Sequence, residues 1–149
     1  QPAGAVRWRL REPDGEVREF DGAGKLVAIR DPAMPLNDVT ITYTGTDPQA
    51  STVSTVTDRQ GRVLRFQYAN RLLARIVKPD GTSVAYGYDA YDNLETVDYG
   101  QGQVKRYHYA EFGQAMNKYI HHLTGVTSET GQRISRFTYN AQGKLIRNE

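Results

Sequence analysis

A short pattern that recurs along the chain constrains its fold more than any other feature. A turn glycine is followed five residues later by an aromatic residue, and a tyrosine often follows two positions further on. Repetition at a fixed spacing predicts a repeat protein, in which each unit needs neighbours to bury its apolar side chains. The glycines are Gly15, Gly61, Gly81, Gly102 and Gly131, the last with one extra residue before its aromatic. The aromatic residues are Phe20, Phe66, Tyr68, Tyr86, Tyr88, Tyr107, Tyr109, Phe137 and Tyr139.

The stretch from Lys78 to Leu94 shows one unit in full. Pro79-Asp80-Gly81 is typical of a turn, because proline presets φ, aspartate hydrogen-bonds its own backbone and glycine accepts a positive φ. The residues from Thr82 to Tyr88 then alternate in character, which indicates a strand with one packing face. A second frame starts at the last aromatic of the strand and runs through Asp or Asn and a turn to a leucine six positions on. It occurs at Phe20–Leu26, Tyr88–Leu94 and Tyr139–Leu145.

These units resemble the tyrosine-aspartate (YD) repeats of the Rhs family of bacterial polymorphic toxins, which also occur in teneurins and in the shell of insecticidal toxin complexes. The resemblance covers nearly the whole chain, and residues 107–109, 122–131 and 137–144 are similar to a segment of the bacterial Rhs core. It implies an all-β fold, an extended antiparallel meander of hairpins in a curved sheet that forms part of a β shell. The implied partners are the rest of the same polypeptide and an enclosed C-terminal toxin, in a protein secreted or delivered to the bacterial cell surface for interbacterial competition.

The sequence contains no recognisable self-cleavage motif and no toxin domain, so we expect it to be one segment, residues 1–149, of a larger protein. About a dozen strands are predicted along it. They cover residues 6–11, 16–20, 25–30, 39–43, 51–57, 62–68, 72–77, 82–88, 94–99, 103–109, 123–127, 133–139 and 144–147. Residues 110–122 break the pattern, because Phe112, Met116, Tyr119 and Ile120 recur at helical spacing while Gly113 disfavours a helix. We expect an excursion from the sheet there.

One detail of the pattern conflicts with a regular strand. Leu94 and Val97 both belong in the aliphatic row between Tyr86 and Tyr107, yet residues three apart face opposite ways in a strand. A β-bulge would reconcile them.

Composition excludes several classes of protein. The absence of cysteine rules out disulfides, thiolate catalysis and cysteine zinc sites. No apolar run approaches the roughly 18 residues of a membrane helix. We expect no signal peptide in this segment, because its first residues lack a basic stretch followed by an apolar run. A net charge of +2 falls short of the clustered charge that favours nucleic-acid binding.

No pattern indicates a catalytic, cofactor or metal site, and we expect the chain not to be an enzyme. His108, His121 and His122 lack the spacing of a zinc motif. Residues 22–25 are glycine-rich but too short for a phosphate loop. Asp89, Asp92 and Asn93 could suit calcium, but turn formation explains them without a metal.

Two functions remain open. The chain is a section of a shell wall, or its tyrosine-rich surface binds carbohydrate as an adhesion module. Rings covered by neighbouring side chains would favour the wall, and rings exposed in a concave surface would favour sugar binding. In either case the open sheet edges favour self-association of the segment.

Overall fold

The structure, a computed structural model, describes residues 5–45, 51–113, 115 and 119–149. These residues form thirteen β-strands and one short 3-10 helix at Pro35–Asn37. The strands are β1 (Trp8–Arg11), β2 (Val17–Phe20), β3 (Leu26–Arg30), β4 (Val39–Tyr43), β5 (Val53–Asp58), β6 (Val63–Ala69), β7 (Leu72–Val77), β8 (Ser83–Tyr88), β9 (Leu94–Asp98), β10 (Val104–Tyr109), β11 (Leu123–Thr127), β12 (Arg133–Tyr139) and β13 (Leu145–Asn148).

The strands lie in the sheet in the order in which they occur in the sequence. Each strand pair whose register is resolved is antiparallel, as expected of strands joined by short hairpin turns. The predicted all-β antiparallel meander is therefore confirmed, and each predicted strand is present to within about two residues. The described residues between β10 and β11 contain no strand.

The chain divides into two compact units. The first comprises Gln1–Gln67 and Ile76–Gly81, and its buried apolar side chains among the described residues are Val27, Ala28 and Ile41. The second comprises Tyr68–Arg75 and Thr82–Glu149, and buries Val97 and Ala115. Most other strand residues are half-buried, which indicates that the strands pack mainly against their neighbours within the sheet.

The two faces of the sheet in the first unit differ in chemistry. Glu19 pairs with Arg9 and Ala28 in the ladders, so it lies on the face opposite Phe20. Glu19 is 8% exposed, and its carboxylate accepts hydrogen bonds from Arg9 at 2.9 Å and from Arg30 at 3.3 Å. Arg30 also lies 3.5 Å from Asp38. The network around Glu19 therefore occupies one face, and the other face carries the aromatic positions together with Arg18, which pairs with Glu12 and Glu16.

The hairpin turns repeat one geometry. In the turn between β2 and β3, the amide of Gly24 donates to the carbonyl of Asp21 at 3.1 Å and the amide of Asp21 donates to Lys25 at 2.9 Å. Gly24 has a φ of 79°, which is the left-handed conformation that follows a type I turn in such hairpins. In the turn between β8 and β9, the same position is held by Asp92 with a φ of 62°.

The β2–β3 turn offers a matched test of this geometry. An alanine at position 24 would have no atom within 4 Å of its Cβ, so its penalty comes from the positive φ alone. We expect Gly24→Ala to lower the free energy of unfolding by about 1 kcal/mol. Gly22→Ala is the control, because Gly22 lacks a positive φ and its Cβ would make only an ordinary contact with Arg7. Urea unfolding of both variants checks this, and equal losses would show that the backbone conformation is not the cause.

Candidate functional site at the aromatic hairpin ends

Every hairpin with an aromatic end and a resolved register carries the same β-bulge. The last aromatic of one strand pairs with an apolar residue that starts the next strand. The residue after that apolar partner is not paired with any residue of the first strand. The pairs are Phe20 with Leu26, Tyr43 with Val53, Tyr88 with Leu94, Tyr109 with Leu123, and Tyr139 with Leu145. The extra residues are Val27, Ser54, Glu95, Thr124 and Ile146.

The bulge explains how Leu94 and Val97 can face the same side of the sheet although they are three residues apart. With Glu95 left out of the pairing, Leu94 lies opposite Tyr88 and Val97 lies opposite Tyr86. Both aliphatic residues therefore face the tyrosine row, although they are three positions apart. Val97 is also paired with Lys105, which shares a face of β10 with Tyr107.

Among the described residues, three tyrosines at strand ends donate their hydroxyl to a backbone carbonyl of the preceding strand. Tyr43 donates to the carbonyl of Leu26 at 2.9 Å, Tyr88 to Leu73 at 3.0 Å, and Tyr139 to Leu123 at 2.8 Å. The β3–β4 ladder ends at Ala28 and the β11–β12 ladder at Gly125, in each case two residues short of the leucine. The hydroxyl thus satisfies a backbone carbonyl that the ladder does not reach.

The residue after the aromatic closes the turn with its own side chain. Asp21 Oδ1 accepts the amides of Ala23 and Lys25, both at 2.9 Å. Asp89 does the same for Tyr91 and Asn93, and Asn140 for Gln142 and Lys144. One side-chain oxygen satisfies two backbone donors, which explains chemically why Asp or Asn occurs at this position in the repeat.

All nine aromatic positions singled out in the sequence are half-buried, from Phe20 to Tyr139. Burial raises the pKa of the hydroxyls of Tyr43, Tyr88 and Tyr109 above the ordinary value. Each of these tyrosines stays protonated at neutral pH and can act as a hydrogen-bond donor. That the aromatic rows and the turn glycines stabilise the repeat stays a prediction.

A polar cluster in the second unit ties the excursion to the sheet. Glu111 accepts hydrogen bonds from the guanidinium of Arg133 at 2.5 and 3.1 Å and from the hydroxyl of Thr124 at 2.7 Å. Thr124, the bulge residue of this hairpin, is 0% exposed. Arg133 also donates to the carbonyl of Thr124 and lies over Gly125, where a Cβ would overlap the guanidinium. These bonds lower the pKa of Glu111, with that from Arg133 the largest cause.

Two histidines link the excursion to hairpin turns on either side of it. The Nδ1 of His121 lies 2.6 Å from Oδ1 of Asn93, whose amide nitrogen donates to Asp89 and to the carbonyl of Ile120. The Nε2 of His122 lies 3.0 Å from the carbonyl of Gly143. Because a carbonyl only accepts, this nitrogen carries the proton. The His122 ring also contacts the rings of Tyr119 and Tyr139, at centroid distances of 4.6 and 4.5 Å.

The residues weighed in the sequence as metal or catalytic candidates take structural places. His108 bonds to Thr127 at 2.8 Å across the β10–β11 pair, while Asp89 and Asn93 form one turn. Residues 22–25 lie in the β2–β3 turn. Within the described ranges, no three His, Cys, Asp or Glu side chains are grouped closely enough to hold a metal ion. Met116, predicted to belong to the excursion, lies outside the described residues.

Sequence reasoning missed the cluster of Glu111, Thr124 and Arg133 and the bond between His121 and Asn93. Their partners are 9 to 28 residues apart with no fixed spacing, so no periodic signal marks them. The bulge did leave a signal, the three-residue offset of Leu94 and Val97.

Comparison with protein families matches residues 69–104 to the RHS repeat. The matched segment contains β7, β8 and β9, with the Gly81 turn, the Tyr88 bulge and the Asp89 turn. Residues 69–104 form an RHS repeat. The predicted Rhs-type repeat segment is thereby confirmed.

The chain also resembles solved structures in fold. One is the Photorhabdus luminescens Tc holotoxin pore with a mutant TccC3, at a TM-score of 0.51 and 14% identity over 90% of this chain and 8% of that chain. Another is the crystal structure of TcdB2-TccC3-TEV, at a TM-score of 0.49 and 14% identity over 95% of this chain and 10% of that chain. The chain thus spans a tenth or less of these proteins. No curated protein matches the sequence.

Among the described residues of the chain, no helix has the length and apolar character needed to cross a membrane.

Removing one tyrosine hydroxyl tests the bond across the gap in the ladder. We expect Tyr139→Phe to lower the free energy of unfolding by about 1 kcal/mol, because the carbonyl of Leu123 loses its donor. The control is Tyr91→Phe, since Tyr91 is 57% exposed and no bond of its hydroxyl is found among the described residues. Urea unfolding is the measurement. If the two variants lose the same stability, the hydroxyl bond is not the source.

The bonds that Glu111 accepts from Arg133 and Thr124 predict that the stability of the chain depends on pH. Since the pKa of Glu111 is lowered on folding, its contribution is complete above the ordinary value of 4.5 and is lost as pH falls through the lower folded value. We expect Glu111→Gln to reduce stability at pH 7 by about 1 kcal/mol and to flatten the loss of stability between about pH 5 and pH 3. Glu95→Gln, on an exposed bulge residue, should leave both unchanged. Unfolding midpoints across this pH range check it. An unaltered pH profile in Glu111→Gln would show that the bonds of Glu111 do not stabilise the fold.

Proposed function

We propose that this chain is a non-catalytic, structural section of a shell wall that encloses a toxin carried by the same polypeptide and helps to deliver it. The match of residues 69–104 to the RHS repeat supports this proposal, as does the likeness of fold to a Tc holotoxin pore. The role in enclosing and delivering a toxin comes from the family resemblance.

The observation that carries the proposal is that the side chains typical of the repeat bind backbone groups of the sheet itself. The hydroxyl of Tyr139 is bonded to Leu123, and the carboxylate of Asp89 is bonded to two amides of its own turn. Groups used in this way hold neighbouring strands together and are not directed at a ligand. A wall needs such an arrangement, because each strand must fix the next along a large sheet.

The difference between the faces of the first unit also suits a wall. One face carries half-buried aromatic side chains such as Phe20 beside the ion pairs of Arg18, and the other carries Glu19 bound between Arg9 and Arg30. The two guanidinium groups offset the cost of burying the Glu19 carboxylate, which would carry a large desolvation penalty without them.

Damage to a turn in the complete parent protein tests the wall. Gly81 has a φ of 82°, which a β-branched residue adopts only with strain. We expect Gly81→Val to make the enclosed toxin several-fold more sensitive to limited proteolysis. Ala90→Val is the matched control, because Ala90 is exposed in a turn and lacks a positive φ.

A glycan-binding screen on the purified chain decides between the wall and the carbohydrate alternative. The wall proposal expects no saturable binding. Micromolar binding that disappears with removal of exposed tyrosines such as Tyr91, together with unchanged protection of the toxin in Gly81→Val, would replace the wall with an adhesion function.

A further inference from the structure

A cavity of about 530 Å³ lies in the first unit, between the turn that follows β5 and the turn that follows β7. Val56 pairs with Leu64, and Val39 pairs with Asp58, so side chains of three adjacent strands line it from one face of the sheet. These strands, β4, β5 and β6, each have a neighbour on both sides. The other lining residues are Arg62, Lys78, Pro79 and Asp80.

The floor of the cavity is aliphatic. Val39, Val56 and Leu64 are half-buried, and Pro79 adds the ring of an exposed turn residue. None of the described residues that line the cavity is aromatic, so it offers no surface on which a sugar ring or a nucleic-acid base could stack. Its volume falls in the range of about 300–1,000 Å³ that is typical of small-ligand sites. These features favour a small ligand with a flexible aliphatic body.

The charged groups at the rim of the cavity favour an anionic ligand. Asp58 is already engaged, because its carboxylate accepts bonds from the amide of Arg62 at 2.9 Å and from the Nε of Arg62 at 2.5 Å. Asp80 also has an interaction within the chain. Lys78 is half-buried, and no ion pair of its ammonium group is found among the described residues. The cavity therefore has two engaged carboxylates and one ammonium group that a ligand can neutralise.

We propose that this cavity binds a straight-chain carboxylic acid. The carboxylate pairs with the Nζ of Lys78, and the aliphatic chain packs on Val39, Val56 and Leu64. The paired charges form a charge-assisted hydrogen bond, which is stronger than a bond between neutral groups. Each methylene group that leaves water adds to the affinity until the floor is covered. The inference goes beyond the wall proposal and does not depend on it, since it concerns a cavity within one unit of the chain.

Octanoate and 1-octanol are a matched pair of probes, because their aliphatic chains have the same length and only octanoate is charged. The isotope-labelled whole chain is titrated with each probe by nuclear magnetic resonance. We expect saturable shifts of the backbone amides of Val39, Val56, Leu64 and Lys78. Octanoate should bind about fivefold more tightly than 1-octanol, because only octanoate pairs with Lys78. Hexanoate should bind about tenfold more weakly than octanoate, because its chain is two methylene groups shorter.

Substitutions of Lys78 separate the charge from the shape of the cavity. Lys78→Met keeps an aliphatic side chain without the ammonium group, so octanoate affinity should fall to about that of 1-octanol, while 1-octanol affinity stays within about twofold. Lys78→Arg keeps the charge and should retain octanoate affinity within about threefold. The control is Arg65→Met, which should leave both affinities unchanged, because Arg65 follows Leu64 in β6 and lies on the opposite face. The amide spectrum of each variant without ligand checks that it is folded.

Equal affinity for octanoate and 1-octanol, or full octanoate affinity in Lys78→Met, would overturn the proposal. So would shifts spread over exposed apolar side chains elsewhere, such as Trp8 and Leu10, because they would show adsorption to the surface. The same titration is made on the complete parent protein. If octanoate binds the isolated chain but not the parent, another segment of the polypeptide fills the cavity and the proposal is wrong. The wall is tested separately, by the difference in toxin protection between Gly81→Val and Ala90→Val.

Discussion

The structure depends on a backbone carbonyl that the β-ladder leaves unpaired and that a tyrosine hydroxyl satisfies. The bulge after each aromatic-leucine pair disrupts the ladder locally and increases the twist of the strand. In β3 and β11 the ladder to the next strand stops two residues before the leucine. An unsatisfied carbonyl in a half-buried place costs about 1–3 kcal/mol, so the hydroxyls of Tyr43 and Tyr139 offset a cost of this size at the bulges that begin β3 and β11. Tyrosine suits the task because its ring covers the aliphatic residues of the gap while its hydroxyl reaches beyond them.

This arrangement makes the stability of each hairpin depend on the next strand. Asp89 and Asn140 close turns with bonds inside their own hairpins, but Tyr88 and Tyr139 donate to strands that precede theirs. The local bonds specify where a hairpin turns, and the tyrosine bonds specify which strand lies beside it. Stability in such a chain is close to a sum of terms within units and between nearest neighbours. Few side chains are fully buried in either unit, so these contacts between adjacent strands replace the central core of a globular domain.

Much of the fold could be predicted because its information is local. Glycine turns, alternation and the aromatic frame predicted the strands, and the mismatch of Leu94 with Val97 pointed to a bulge that the register confirms. The acceptors of the tyrosine hydroxyls could not be predicted, because every residue has a backbone carbonyl and the residue type does not mark the one that accepts. The carbonyl lacks a partner only where the ladder ends early. The bond between Glu111 and Arg133 was equally hidden. It joins an irregular segment to a strand 22 residues away, and nothing in the spacing of either residue indicates the other.

Because of the bulged pair, the register of the sheet does not depend on the length of the hairpin loop. Residues 89–93 join Tyr88 to Leu94, whereas residues 110–122 join Tyr109 to Leu123, yet the pair and the extra residue after it are the same in both. Closing thirteen residues instead of five adds only about 0.8 kcal/mol of chain entropy. The bonds of Glu111 with Arg133, His121 with Asn93 and His122 with Gly143 are together of sufficient size to offset this. The pair and its bulge set the direction of the next strand. A long insertion at an aromatic hairpin end therefore leaves the register beyond it unchanged. This end of the repeat can vary in sequence while the sheet continues.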